Sequence, residues 1–177
     1  MAHPRRLIRT AFRDLLATPS AGGEFHTRAQ GRVYASRLQP VTEEELKEDG
    51  PAILVYARMD KTDKDSDYGP DGDNSLVERE LILVTEGMMV ANSLTVDDDL
   101  DDFAQEMETA IQDFMIPGLE SAVIRLIEAD IDVVTEQVKR PIGAIGLVWK
   151  VRYWTAWRPR ATANDPDAAM ADFLAGR

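Results

Sequence analysis

The chain has no cysteine. That absence removes disulfide frameworks, thiolate zinc sites, iron–sulfur clusters and a cysteine nucleophile in one step. Histidine is scarce as well: there are only two, His3 and His26. Both lie in segments that read as terminal or looped, and neither has a local metal-ligand spacing such as H-x-x-x-H. No glycine-rich loop combines the lysine and the strand-to-helix setting needed to cradle a phosphate, because Gly22-Gly23 and Gly69-x-x-Gly72 lack both. No serine sits in a G-x-S-x-G elbow. The expectation is therefore a protein with no catalytic residue, no cofactor and no resident metal.

Long apolar runs are missing too. Nothing approaches the ~20 residues that span a bilayer. Arg5-Arg6 is followed by Leu7 to Leu16, but Arg9, Arg13 and Asp14 interrupt that stretch, so it does not read as the apolar core of an export signal. A soluble, cytoplasmic protein with no membrane partner is expected. Basic surplus is the last shortage: 20 Lys+Arg stand against 32 Asp+Glu, a net charge of −12. Binders of nucleic acid normally carry the opposite balance, to displace counterions from phosphates, so no nucleic-acid specificity is expected.

What is present is one domain's worth of core. At 177 residues and 44% hydrophobic content, the chain can bury most of its apolar surface without covalent staples. Its charge is segregated. Residues 1–35 carry +4, residues 139–177 carry +4, and the middle carries −20. Opposed patches that steer association and a solvated acidic face kept for solubility both account for that pattern.

Periodicity gives the elements. Leu7, Ile8, Ala11, Phe12, Leu15 and Leu16 recur at helical spacing, with Arg5, Arg6, Arg9 and Arg13 largely off that stripe. A weak strand is expected over 32–38 and a stronger one over 52–59, with a turn of helix between them near Glu43-Glu44-Glu45. Residues 60–75 contain six aspartates, two glycines and a proline and predict a long mobile loop. A firm strand is expected over 76–85, apolar throughout from Leu81 to Val84 as in a strand covered on both faces. Thr95 reads as the cap of a helix whose stripe runs Leu100, Phe103, Ala104, Met107, Ile111, Phe114 and Met115 and which Pro117-Gly118 ends. Leu119, Ala122, Val123, Leu126 and Ile127 keep helical spacing for two more turns, before Ile131, Val133 and Val134 suggest strand. The last strand follows Pro141, with Ile145, Leu147, Trp149, Val151, Tyr153, Thr155 and Trp157 on one side and Lys150, Arg152 and Trp154 on the other. A linker and a short helix, beginning at Asp165-Pro166, are expected after Arg158.

One pattern resembles a metal site. Asp63-x-Asp65-x-Asp67 begins like a calcium loop, but position six is Tyr68 where glycine is needed and position twelve is Asn74 where a bidentate glutamate is expected. A metal-dependent hydrolase built on these three aspartates is the competing functional class.

The order of elements resembles the tail terminator family of long-tailed bacteriophages, the minor tail protein U group. The residues that carry the resemblance are the basic amphipathic first helix, the strand Pro51-Ala52-Ile53-Leu54-Val55-Tyr56, the acidic loop and the strand Glu80 to Val84. The acidic helix from Asp99-Leu100-Asp101-Asp102-Phe103 to Met115 and the closing strand Gly146-Leu147-Val148-Trp149-Lys150-Val151-Arg152-Tyr153 complete it. The likeness spans about residues 4–157, so that 1–157 forms the domain and 158–177 an extension; the loop 60–75 and that extension depart from the family.

The resemblance implies an α/β (α+β) fold, a small, mostly antiparallel or mixed sheet flanked by helices. It implies assembly as the function: a homo-hexameric ring in the virion, at the head-proximal end of the tail, put together in the host cytoplasm. Such a ring caps the tail tube when the tape measure protein's length is reached, stops further addition of tail tube protein, and offers a surface to a head–tail completion protein. Another ring-forming head–tail completion protein is the neighbouring reading. Exposure and charge, rather than the family pattern, place candidate ring contacts on Arg5, Arg9 and Arg13, on Asp63, Asp65, Asp67 and Tyr68, and on Arg152 and Trp154.

Overall fold

The computed structural model describes residues 3–37, 41–62, 76–91, 94–134 and 141–156. Helix α1 spans Pro4–Ala17, followed by strand β1 (Val33–Ala35), helix α2 (Glu43–Asp49), strands β2 (Ala52–Thr62) and β3 (Leu76–Val90), helix α3 (Val96–Ile111), and strands β4 (Val123–Val134) and β5 (Ile142–Ala156). The strands form one mixed sheet in the order β1-β2-β3-β5-β4. Only the β1–β2 pair is parallel; every other pair is antiparallel. This is the α+β arrangement the sequence implies.

Helices α1 and α2 each have a local reason to start where they do. His3 caps α1, its Nδ1 accepting from the Arg5 backbone N–H at 3.2 Å, and Pro4 takes the first-turn position where its missing N–H costs nothing. Thr42 and Glu45 form a reciprocal capping box on α2: the Glu45 N–H donates to Thr42 Oγ1 at 3.2 Å and the Thr42 N–H to Glu45 Oε2 at 2.9 Å. Arg37 donates to both carboxylate oxygens of Glu45 at 2.7 Å, and that bond, ahead of the one from Thr42, holds the Glu45 carboxyl below the usual range. Thr95 stands at the cap position of α3 but makes no capping bond; its hydroxyl donates to Asp99 Oδ2 at 2.8 Å.

The main core lies between one sheet face and the pair α1 and α3. Ile8, Phe12 and Leu16 of α1, with Leu100, Phe103, Met107 and Ile111 of α3, meet Ile53, Val55, Leu81, Leu83, Ile145, Leu147, Trp149, Val151 and Tyr153. The core-facing residues of β5 alternate from Ile145 to Tyr153 as the period-two pattern predicts, but Val148 and Ala144 on the other side are buried as well and Thr155 is only partly buried. Gly87 lets α3 approach: a β-carbon there would meet Phe103 Cε1 at 2.8 Å. A smaller cluster, Val41, Leu46, Ala52 and Ile142, lies under α2 on the opposite face. Between Leu81 and Val84, three residues are buried and Ile82 is partly exposed.

Three expectations are corrected. Helix α3 ends at Ile111 rather than Met115, because Phe114 packs edge-to-face on Phe12 (5.9 Å, 86°) and Ile116 is buried as well. Residues two apart both turn inward there, a spacing that extended chain satisfies and a helix does not; Met115 is left 71% exposed. The two helical turns expected over 119–127 do not form. That stretch enters β4, whose register shifts between Leu126 and Glu128. The extra residue, Ile127, breaks the strand's alternation, so that positions 119, 122, 123, 126 and 127 imitate helical spacing. Finally, β2 runs on to Thr62, so Asp60, Lys61 and Thr62 are strand and not loop.

Candidate assembly interface

Helix α1 presents a basic outer face. Arg5 and Arg6 are exposed, Arg9 and Arg13 partly so. Arg13 is tied to its neighbour Asp14, with 2.5 Å between Nη2 and Oδ1, and Arg9 Nε is buried with no hydrogen-bond partner. The first turn holds no acidic residue and the last turn no basic one. Arg5 and Arg6 therefore face the positive end of the helix dipole, an arrangement that costs the isolated helix about 0.3–1 kcal/mol per charge. A local rule broken in this way marks a residue kept for something other than the helix's own stability.

Beside α1 lies an apolar groove of about 590 Å³. Leu7, Ala11 and Leu15 form one wall and Phe114 the other, with Arg6 near one end and Asp14 near the opposite end. Met115, the most exposed large side chain next to Phe114, adds apolar surface nearby.

The second unusual surface is β4. Among the described residues it pairs only with β5, which leaves its outer backbone N–H and C=O groups without strand partners over 12 residues. Leu126, Ile127 and Ile131 on it are 37%, 50% and 39% exposed. Register places Leu126 and Ile131 opposite Trp149 and Ile145, on the helix-bearing side of the sheet. Arg125, Glu128, Asp130 and Asp132 lie on the other side, opposite Lys150, Val148, Gly146 and Ala144. A long edge strand with exposed apolar side chains and no proline invites pairing with another chain unless something covers it. The acids of β4 join Glu86 around a cleft of about 450 Å³, floored by Val84, Gly146 and Val148.

The other sequence candidates fall elsewhere. Arg152 is partly buried and lies 3.4 Å from Glu78, on the neighbouring strand. Trp154 is partly exposed and sits opposite that same Glu78 in the register. The pair is thus tied into the β3–β5 ladder, which differs from a free Arg-Trp surface. Asp63, Asp65, Asp67 and Tyr68, with Trp157 and the extension from 158, lie outside the described residues. Among the described residues, no group of three or more His, Asp or Glu side chains is placed to hold a metal ion. His26 lines a cleft of about 400 Å³ with Arg28 and Glu106. Arg28 works there as a clamp: its backbone N–H and Nε donate to Glu106 at 2.7 and 2.9 Å, and its guanidinium lies 5.6 Å from the Phe103 ring centre.

The β4 edge and the Phe114 groove are the surfaces that sequence reasoning missed. Their signal was present in the alternation Ile124, Leu126 and then Ala129, Ile131, Val133, but the bulge at Ile127 hid it. No protein-family model matches the chain, and no curated protein matches it either.

Proposed function

We propose that this chain is a ring-forming structural protein of a phage tail, a terminator that caps the tail tube, halts addition of tube protein and offers a joining surface to the head. The observation that carries the reading is the β4 edge: 12 residues of strand with Leu126, Ile127 and Ile131 exposed. A chain that works alone gains nothing from such an edge and risks aggregation through it. A subunit that closes into a ring covers it. The basic face of α1, kept against its own helix dipole, supports the same reading, because charge on a helix surface that does not stabilise the helix is available to a partner.

On this reading the work is assembly rather than catalysis. The partners are further copies of the chain, the tube protein, the tape measure protein and a head–tail completion protein. A ring needs two unlike patches joined by a rotation that closes, and a terminator needs two unlike faces, one accepting the last tube layer and one refusing another.

Native mass spectrometry and negative-stain electron microscopy of the chain, alone and with tube protein, test this. Closed rings, or rings formed on the tube end together with tubes of limited length, are the expected result. A chain that stays monomeric in both settings, with tubes growing unchanged, refutes it.

A further inference from the structure

We infer that the α1–Phe114 groove is filled by the chain's own C-terminal segment, with Met170, Phe173 and Leu174 seated on Leu7, Ala11, Leu15 and Phe114. The contact closes within one copy and stands whether or not copies assemble into a ring.

The groove is apolar, about 590 Å³ in volume, and left open by the described residues. Residues 157–177 lie outside those residues, and their sequence matches what the groove lacks. Met170, Phe173 and Leu174 follow the i, i+3, i+4 spacing that puts three large apolar side chains on one side of a helix, behind the cap and first-turn pair Asp165-Pro166. A helix over 166–175 would be about 15 Å long, against about 12 Å from Leu7 to Leu15 along the groove wall. A helix that short is marginal in water and needs a surface to pack on.

The course of β5 brings the segment to the groove. Phe12 of α1 lies on Trp149 of β5, with 6.4 Å between ring centres. Seven residues back along α1, Arg5 is close enough to Tyr153, four residues on along β5, for its charge to act on the phenol. Strand and helix therefore run in opposite directions, and β5 finishes at Ala156, about 10 Å past Tyr153 and beyond the start of α1. The linker 157–164 reaches about 26 Å when extended, enough to turn back past the start of α1 and enter the groove at its Arg6 end.

Charge favours that end. Residues 161–176 carry Asp165, Asp167 and Asp172 and no Lys or Arg, while Arg158 and Arg160 precede them in the linker. The start of α1 has Arg5 and Arg6 exposed and no acid in its first turn. Entry there sets Asp165 and Asp167 near two arginines and the positive end of the helix dipole. At the other end, Arg13 and Asp14 already neutralise each other at 2.5 Å.

The lack of cysteine makes the contact testable by cross-linking in the full chain. Ala11→Cys with Ala171→Cys is expected to close a disulfide within one chain on oxidation by diamide, read by intact mass at concentrations too low for self-association. Lys47→Cys with Ala171→Cys, whose first cysteine sits on α2 across the sheet, is expected to close about tenfold more slowly or not at all. Adding Phe173→Ser and Leu174→Ser to the first pair is expected to slow closure by about tenfold or more, since two large apolar side chains lose their burial. The same two serines are expected to speed alkylation of the single variant Ala11→Cys by iodoacetamide by a similar factor. Neither residue belongs to the core between α1, α3 and the sheet, so an unchanged melting transition separates loss of docking from loss of folding.

Equal closure of the two pairs, closure indifferent to the serines, or disulfides that join two chains instead of closing one, overturns the assignment; the last result gives the groove to a second copy. None of these outcomes touches the ring reading, which stands or falls on whether copies associate.

Discussion

Asp60 is the most informative single residue for testing how the core is tied together. It lies near the end of β2, in a stretch whose composition reads as loop, yet its side chain is only 6% exposed. Arg79 on the adjacent strand donates to it through Nε at 3.3 Å and Nη2 at 2.7 Å, and the Tyr153 hydroxyl donates to Oδ1 at 3.2 Å. Replacing Asp60 by alanine strands a partly buried guanidinium and a buried hydroxyl together. Removing one partner of a buried ion pair costs about 3–5 kcal/mol, and because Arg79 retains some access to water the lower end, about 3 kcal/mol, is expected. Arg79→Ala leaves the more deeply buried carboxylate alone and is expected to cost about 4 kcal/mol by the same reasoning. Tyr153→Phe removes one hydrogen bond and should cost about 1 kcal/mol. The double variant Asp60→Ala/Arg79→Ala removes both charges, so its cost should fall short of the sum by about 2 kcal/mol. Urea denaturation followed by circular dichroism measures all four values. A coupling below about 0.5 kcal/mol would refute the account, since residues in real contact and mutually dependent for burial do not behave additively.

Other consequences follow from the same packing. Burial first, then the neighbouring Asp60 charge, pushes the Tyr153 phenol up from 10.0 to about 12. The fold therefore favours its neutral form: that stabilisation is complete below pH about 10 and is lost as pH rises toward 12, worth about 2–3 kcal/mol across the window. Ultraviolet titration should show tyrosine ionisation running on toward pH 12, and Asp60→Asn should bring that last step down; an unshifted Tyr153 in the folded protein would contradict the burial argument. Gly87→Ala forces a β-carbon to within 2.8 Å of the Phe103 ring and 3.1 Å of Met107. A loss of about 1–3 kcal/mol is expected from overpacking, and Gly87→Ala combined with Phe103→Leu should recover part of it, as thermal unfolding would reveal. Thr85→Val removes the acceptor of the buried Trp149 Nε1–H bond, 2.9 Å long, and should cost about 1–3 kcal/mol with a shift in tryptophan fluorescence.

The sequence by itself determined the elements whose burial is periodic and local. The stripe Ile8, Phe12 and Leu16 made α1 a helix, the alternation from Ile145 to Tyr153 made β5 a strand, and the Thr42–Glu45 spacing made a capping box, because each depends on residues within a few positions of one another. The aspartates at 63, 65 and 67 and the extension from 158 fall outside the described residues. Long-range pairing decided the rest. Whether 119–127 is helix or strand is set by the ladder with β5 and its bulge at Ile127, an interaction spanning some twenty residues of sequence that a local window cannot contain. Asp60 looked like loop because its partners, Arg79 and Tyr153, lie far along the chain. The candidate interface has the same character. The basic face of α1 was legible as a row of arginines, but an exposed edge exists only once a strand order has placed β4 last in the sheet, and a groove exists only once Phe114 has packed on Phe12.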